Sequence, residues 1–210
     1  MISDEAPCAD DAAPNSQVAA FDMAVPGTLP TLNRACVMHA LRMAILLKCE
    51  IPSYFRFDRK HYFYSDMPAG YQITQSEYPL AKNGTFTFHV YGDDLPPYKK
   101  KIGIKQLQLE QDSGKTIHLG SSSSCIDLNR AGVPLVEVVT QPDFSTALEA
   151  VCFVQQLRLL LLHHQICKGE MHSMKILIES LIQKIEKLLL IFVNIIYYGT
   201  WSSEGVKALW

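Results

Sequence analysis

Acidic side chains on three separate predicted strands are the residues of this sequence best suited to chemistry. Glu137 lies inside the apolar run VPLVEVV, where a lone carboxylate carries a large desolvation cost unless a cation or a metal compensates it. Glu110 and Asp127 lie on two other predicted strands. Carboxylate oxygens suit Mg²⁺, which keeps several waters and bridges to substrate phosphates. If one sheet brings these strands together with Lys60 and Lys115, the pattern predicts phosphoryl transfer rather than hydrolysis by a nucleophilic triad.

The same residues also fit ordinary structural roles, and the sequence leaves these alternatives open. Glu137 equally fits an exposed strand edge or an ion pair with Arg130. Asp127 and Asn129 share one face of IDLNR by strand alternation, which suits oxygen ligation, a polar clamp or a wet strand face. The turn Ser113-Gly114-Lys115 offers backbone N–H groups to a phosphate, although a solvated hairpin end is the favoured interpretation.

The stretch FDRKHYFYSDMPAGYQITQ interleaves basic and aromatic side chains, as nucleic-acid stacking platforms do. Strand alternation places Phe57 and Arg59 on one face and Asp58 and Lys60 on the other. Neither face is cleanly aromatic or cleanly basic. We therefore do not expect a nucleic-acid stacking platform at this stretch.

The composition predicts a globular protein with no strong electrostatic bias. The chain has 210 residues, of which 48% are hydrophobic and 19% are charged, and its formal net charge is -2. A chain that holds RNA by itself usually carries a basic excess. The six cysteines form no C-x-x-C pair, so we expect reduced thiols and no zinc site. The opening segment MISDEAPCADDAAPNS is acidic and lacks Lys and Arg, unlike a mitochondrial presequence.

Helices are predicted near both ends of the chain. One begins with Thr31 as its N-cap and runs to about residue 48, after an exposed arm over residues 1–25. Thr146 and Glu149 form a T-x-x-E capping box that opens a second helix. Apolar residues from about Ser173 follow helical spacing, which predicts a C-terminal amphipathic helix. Its most apolar part, LLLIFVNIIYY, is shorter than the roughly 20 residues of a membrane helix, so a membrane span is not expected.

Adjacent strands are predicted between the helices. RFDRKHYFY reads as one strand, and Asn83-Gly84 signals a hairpin turn. GDDLPPYKKK reads as a loop before another strand, IGIKQLQLEQD, and Ala131-Gly132 separates two later strands. Because strands and long helices do not alternate, the pattern predicts an α+β fold with an antiparallel or mixed sheet and flanking helices.

Strand alternation in IKQLQLEQD separates an apolar face from a polar one. Leu107 and Leu109 are predicted to face the core. Gln106, Gln108 and Glu110 then share the opposite face. This face is where the sequence places one of its candidate carboxylates.

Four strings in series carry a family resemblance: PGTLPTLN, FDRKHYFYSDMPAGYQITQ, LEQDSGK and IDLNRAGVPLVEVVTQPD. Together they resemble the B subunit of glutamyl-tRNA(Gln) amidotransferase over residues 12–168. LEQDSGK and the lack of zinc-binding cysteines are more similar to the mitochondrial branch. The resemblance implies a mitochondrial location and a partial cradle-shaped α+β domain over residues 26–170, with a sheet related to that of glutamine synthetase.

The resemblance also implies a reaction. Family members use ATP and Mg²⁺ to phosphorylate the side-chain carboxylate of glutamate carried by tRNA(Gln). Ammonia released by the A subunit then displaces the phosphate and leaves Gln-tRNA(Gln). The expected partners are therefore the A and C subunits, Glu-tRNA(Gln) and ATP.

The family roles transfer to this sequence residue by residue. Glu110 and Glu137 become the metal ligands, and they form the catalytic set together with Lys60 and Lys115. The expected nucleotide-binding residues are Asp58, Arg59, Asp112, Asp127, Asn129 and Arg130. The expected contacts to the aminoacyl end of tRNA are Tyr71, Gln72 and Gln75.

The resemblance is truncated at both ends. The family's first strand, with an E-x-H-type motif that supplies metal ligands, would precede Met1. An R-x-D-A-N-type strand and tRNA-holding helical domains would follow, where residues 171–210 form a divergent tail. Two alternative functions therefore stand beside the enzyme: a non-catalytic isoform that binds the A or C subunit, and a tRNA-binding module.

Overall fold

The computed structural model describes residues 12–92, 95–120, 123–167, 174–179 and 188–194. In these residues the chain forms two helices and nine strands, which confirms the predicted α+β class. The elements in chain order are α1 (Arg34–Leu46), β1 (Asp58–His61), β2 (Tyr71–Thr74), β3 (Ala81–Gly92), β4 (Leu95–Gln111), β5 (Lys115–Leu119), β6 (Ser123–Asp127), β7 (Pro134–Thr140), α2 (Ala147–His163), β8 (Met174–Glu179) and β9 (Leu188–Asn194).

Three antiparallel sheets organise the described strands. The largest has the order β3-β4-β7-β9-β8, and two ribbons, β1-β2 and β5-β6, stand beside it. Strands β4 and β7 lie next to each other although β5 and β6 separate them in the chain. This pairing brings the segments that contain Glu110 and Glu137 side by side.

Two of the three predicted helices are present among the described residues, and local hydrogen bonds define where they begin. The N-cap of α1 is Asn33 rather than Thr31, because the Asn33 side chain accepts a hydrogen bond from the Ala35 N–H. The predicted cap of α2 is confirmed, since the Thr146 hydroxyl accepts from the Glu149 N–H at 3.2 Å. The Glu149 carboxylate returns a bond by accepting from the Ser145 N–H at 2.7 Å.

The core lies where the helices meet the large sheet. Phe153 of α2 contacts the rings of Phe86 and Phe88 on β3 and the ring of Phe144, at centroid distances of 5.3–5.5 Å. Met43 of α1 is fully buried in the same cluster. Large apolar side chains buried in this way each contribute about 2–3 kcal/mol to the stability of the fold. The helices therefore pack against the apolar face of the sheet and leave its polar face uncovered.

The predicted hairpin at Asn83-Gly84 is wrong, because both residues lie inside β3. Asn83 has a φ of 55°, and the register passes from Lys82–Gln106 to Gly84–Ile104 without a pair at Asn83. A Cβ on Gly84 would approach the Leu47 carbonyl oxygen at 2.7 Å. Glycine is therefore required here by the close approach of the end of α1, not by a turn.

This irregularity switches the buried face of both strands. On β4, Ile102 and Ile104 are buried before it, whereas Leu107 and Leu109 are buried after it. The β4–β7 register shifts between Ile104 and Gln106, so Lys105 is the extra residue of a β-bulge. The switch confirms that Gln106, Gln108 and Glu110 lie opposite the apolar side chains of their half-strand.

Two further element predictions are wrong. The segment read as the loop GDDLPPYKKK belongs largely to β4, which begins at Leu95. The C-terminal helix is also absent from the described residues, where 174–179 and 188–194 form strands. Apolar runs of this kind suit a buried strand as well as a helix, and β9 satisfies the backbone groups on the free edge of β7. No helix among the described residues is both long and apolar enough to cross a membrane.

Candidate functional site

An open cleft of about 480 Å³ lies between the β1-β2 ribbon and the polar face of β4 and β7. The ribbon supplies one wall, and the two long strands supply the floor. The lining residues are Asp58, Arg59, Lys60, Thr74, Gln75, Ser76, Gln106, Gln108, Glu110, Glu137 and Val139. Three of the four predicted catalytic residues, Lys60, Glu110 and Glu137, therefore meet in one place.

Two buried carboxylates form the centre of the floor. Glu110 is 4% exposed and Glu137 is 7% exposed. Gln108, the register partner of Glu137, donates from its amide nitrogen to Glu110 at 3.1 Å and also to Glu137. The Thr74 hydroxyl donates to Glu110 as well. The hydrogen bonds thus hold both carboxylates on adjacent strands at the base of the cleft.

The environment of the cleft floor disfavours the ionised form of Glu137. Burial and the neighbouring Glu110 carboxylate together raise the pKa of Glu137 to about 8, and burial has the larger effect. The Gln108 amide and the positive charge of Lys60 act in the opposite direction. A divalent cation between the carboxylates would relieve this repulsion.

The donor set fits a hard cation that keeps part of its own hydration. Mg²⁺ is commonly held by one or two carboxylates, with waters and substrate phosphates completing the shell. Among the residues that the structure describes, no group of three or more His, Cys, Asp or Glu side chains could hold a metal ion. Glu110 and Glu137 are the two candidate ligands that the cleft floor offers to such an ion.

The rim of the cleft carries the charged residues of β1. Asp58 accepts from the Ser76 N–H at 2.9 Å, which ties β1 to the end of β2. The Arg59 guanidinium stacks over the Tyr71 ring, 5.0 Å from its centroid. Of the six predicted nucleotide-binding residues, Asp58 and Arg59 line the cleft. Tyr71 does not belong to the cleft lining.

Asp112 and Arg130 form an internal clamp outside the cleft lining. They make an ion pair at 3.2 Å, and Arg130 also donates to the Ser113 and Gly114 carbonyl oxygens. The Ser113 N–H is used by Asp112, and the Gly114 N–H donates to the Asp66 carbonyl oxygen at 2.8 Å. The suggested phosphate-binding turn is therefore wrong for these two N–H groups, and so is the alternative that Arg130 is the ion-pair partner of Glu137.

Asp127 and Asn129 bind the N-terminal arm. Asp127 accepts from the Asn15 N–H at 3.0 Å, and Asn129 accepts from the Gln17 N–H at 2.9 Å. Lys115 is exposed on β5, with Asp127 as its register partner. None of these three predicted site residues belongs to the cleft lining.

The remaining predicted residues, Gln72 and Gln75, lie on β2 and directly after it. Gln75 lines the cleft, but its amide oxygen accepts from the Leu80 and Leu109 N–H groups, which joins the ribbon to β4. Gln72 donates to the Gln111 carbonyl oxygen at 2.8 Å and is not part of the lining. The sequence reasoning gave no role to Thr74 or Gln108. Strand alternation placed Gln108 beside Glu110, whereas no signal marked Thr74.

The fold and the cleft together define an α+β domain with two buried carboxylates on the floor of a polar cleft. The sequence model of the GatB/GatE catalytic domain family matches residues 2–180. This match covers most of the chain, so the chain belongs to that family.

Individual relatives agree with the family match. The B subunit of the mitochondrial glutamyl-tRNA(Gln) amidotransferase of Candida albicans (strain WO-1) is 46% identical over 167 residues, which are 80% of this chain and 33% of the relative. The corresponding mitochondrial protein of Aedes aegypti is 50% identical over 76% of this chain and 31% of its own length. The B subunit of the aspartyl/glutamyl-tRNA(Asn/Gln) amidotransferase of Rickettsia canadensis is 50% identical over 77% and 33%, respectively. The chain thus spans about a third of the length of these relatives.

Proposed function

We propose that this chain supplies the ATP-dependent catalytic face of the B subunit of an amidotransferase that converts Glu-tRNA(Gln) to Gln-tRNA(Gln). The observation that carries the proposal is the pair of buried carboxylates, Glu110 and Glu137, on the floor of a cleft lined by Lys60. Family membership and the names of the relatives support the reaction class.

The proposed reaction has two chemical steps. A side-chain carboxylate oxygen of the tRNA-bound glutamate attacks the γ-phosphorus of ATP, the bond to the bridging oxygen breaks, and ADP leaves. The nitrogen of ammonia then attacks the activated carbonyl carbon. The C–O bond to phosphate breaks, and a proton from ammonia passes to the departing phosphate or to solvent.

Each residue on the floor has a role in the first step. Bound Mg²⁺ would neutralise charge on the phosphate oxygens, and Glu110 and Glu137 would hold it. Lys60 lies on the wall of the same cleft and would stabilise negative charge that accumulates on the transferred phosphoryl group. Thr74 keeps the Glu110 carboxylate in place through the hydrogen bond described above.

The wider assignments follow from the same proposal. The chain would form part of a cradle-type domain, receive ammonia from an A subunit, assemble with A and C subunits, and act in mitochondria. Asp58 and Arg59 would contact the nucleotide, and Gln75 would contact the aminoacyl end of tRNA. The names of the Candida and Aedes relatives support the mitochondrial location.

The test combines the chain with the partner subunits, glutamine, ATP, Mg²⁺ and Glu-tRNA(Gln), and measures Gln-tRNA(Gln) and phosphate release. Glu110→Ala and Glu137→Ala should each abolish ATP-dependent transamidation. Glu50→Gln is the control, because Glu50 is exposed and its side chain accepts a surface hydrogen bond from Asn83, outside the cleft lining. Near-normal activity of Glu137→Ala would contradict its assignment. An unaltered chain that binds the A subunit without releasing phosphate would favour the non-catalytic interaction protein.

A further inference from the structure

Gln108 occupies an unusual position between two buried acidic side chains. Its amide nitrogen lies 3.1 Å from a Glu110 carboxylate oxygen and also donates to Glu137. The amide group carries two N–H bonds, so it can serve one carboxylate with each. Gln108 is itself 9% exposed, which means that the bridge is sheltered from water.

The orientation of this amide is determined by its neighbour. The Gln106 amide nitrogen donates to the Gln108 side-chain oxygen. A flipped Gln108 would place its NH₂ group against the Gln106 donor and its oxygen against two carboxylates. The contact with Gln106 and the contact with the Glu110 carboxylate would both be repulsive, which favours the orientation with the NH₂ group between Glu110 and Glu137.

A bridging NH₂ group provides what a cation would provide, although more weakly. Two partial positive charges face two carboxylates in a poorly hydrated place, where hydrogen bonds to ionised groups are strong. The position between the two carboxylates is also where a divalent cation held by both would lie. The amide and such a cation therefore compete for the same space and the same lone pairs.

We propose that Gln108 is the internal substitute for the cation in the metal-free cleft and must withdraw its NH₂ group when a divalent cation binds. This inference rests on the proposed magnesium site and adds a positioning residue to it. Gln108 stabilises the metal-free chain and, by the same contacts, weakens binding of the cation. A residue that only pre-arranges the carboxylates for a metal would have the opposite effect on affinity.

The test measures Mn²⁺ binding by titration calorimetry and, separately, unfolding by urea in the presence of a chelator. Gln108→Ala should lower the stability of the metal-free chain and tighten Mn²⁺ binding about tenfold, the equivalent of one charge-assisted hydrogen bond. Gln108→Asn, whose shorter side chain cannot bridge both carboxylates, should shift affinity in the same direction if the alanine variant fails to fold. Gln156→Ala is the matched control, because Gln156 of α2 bonds to the His89 backbone and its loss should alter stability alone.

The outcomes separate this inference from the magnesium site. Unchanged or weaker Mn²⁺ binding by the Gln108 variants would overturn the inference, while loss of binding in Glu137→Gln would still support the site. Absence of Mn²⁺ binding in both the unaltered chain and the Gln108 variants would overturn both. Binding that appears only after Gln108 is replaced would support both.

Discussion

Replacing Glu137 by glutamine should remove most of the dependence of this chain's stability on pH between about pH 5 and pH 8. Burial and the adjacent Glu110 carboxylate raise the pKa of Glu137 from 4.5 to about 8 in the folded state. In this interval the folded chain keeps a proton that the unfolded chain has released. Stability therefore falls as the pH rises. The stabilisation from Glu137 is fully present below pH 4.5, the pKa of this carboxyl in the unfolded chain. It is lost as the pH rises through about 8, its pKa in the folded chain.

The magnitude follows from the separation of the two pKa values. One pH unit between them changes the free energy of unfolding by about 1.4 kcal/mol. Across three pH units the loss amounts to roughly 4 kcal/mol, a large fraction of the 5–15 kcal/mol typical of folded domains. Glutamine has nearly the same shape and no charge to desolvate, so Glu137→Gln should be more stable than the unaltered chain at about pH 8.

The assay is urea unfolding at several pH values between 5 and 8, with a chelator present. Glu149→Gln is the matched control, since Glu149 is also buried, at 3% exposure. Burial alone would raise the pKa of Glu149, but hydrogen bonds from the Ser145 N–H, Tyr98 and Lys100 lower it overall. Its contribution is therefore lost only as the pH falls below this window. A Glu137→Gln variant that keeps the unaltered chain's pH slope would refute the reasoning.

Three further substitutions test how the fold positions the cleft. Gly84→Ala should destabilise the chain by about 1–3 kcal/mol in urea unfolding, because a new Cβ would press against the Leu47 carbonyl oxygen and the Cys49 sulfur. Asp127→Ala should speed proteolytic cleavage of the arm by removing the acceptor of the Asn15 N–H, whereas Asp127→Asn, which keeps an acceptor, should slow cleavage again. Thr146→Ala should lower stability by about 1 kcal/mol in thermal unfolding through loss of the helix cap, and an unchanged Tm would contradict the role of that cap.

The centre of the cleft could be predicted because strong local rules govern its residues. The apolar run VPLVEVV favoured a buried carboxylate on a central strand over an exposed strand edge, and Glu137 is buried. Period-two alternation likewise predicted that Glu110 faces away from Leu107 and Leu109. Alternation could not predict which strand pairs with β4. Its partner is β7, and the β5-β6 ribbon separates the two strands in the chain.

The peripheral candidates lie outside the cleft lining for a different reason. Asp127 and Asn129 do share one polar surface, but that surface accepts the backbone of residues 15–17. Asp112 and Arg130 form an ion pair with each other, and Arg130 also donates a hydrogen bond to the Ser113 carbonyl oxygen of the adjacent turn. Long-range pairing of this kind leaves no periodic signal in the sequence. Polar residues that bind a ligand and polar residues that bind another part of the chain therefore give the same sequence pattern.

The switch of buried face at Asn83 and Lys105 has a consequence for changes in chain length. Removing a single residue between Lys105 and Leu107 would leave every apolar side chain in the sequence, yet it would turn the last half of β4 over. Leu109 would then point into the cleft, and Glu110 would point into the core. A substitution in β3 or β4 changes one side chain at a time. An insertion or deletion would instead exchange the side chains that face the cleft with those that face the core.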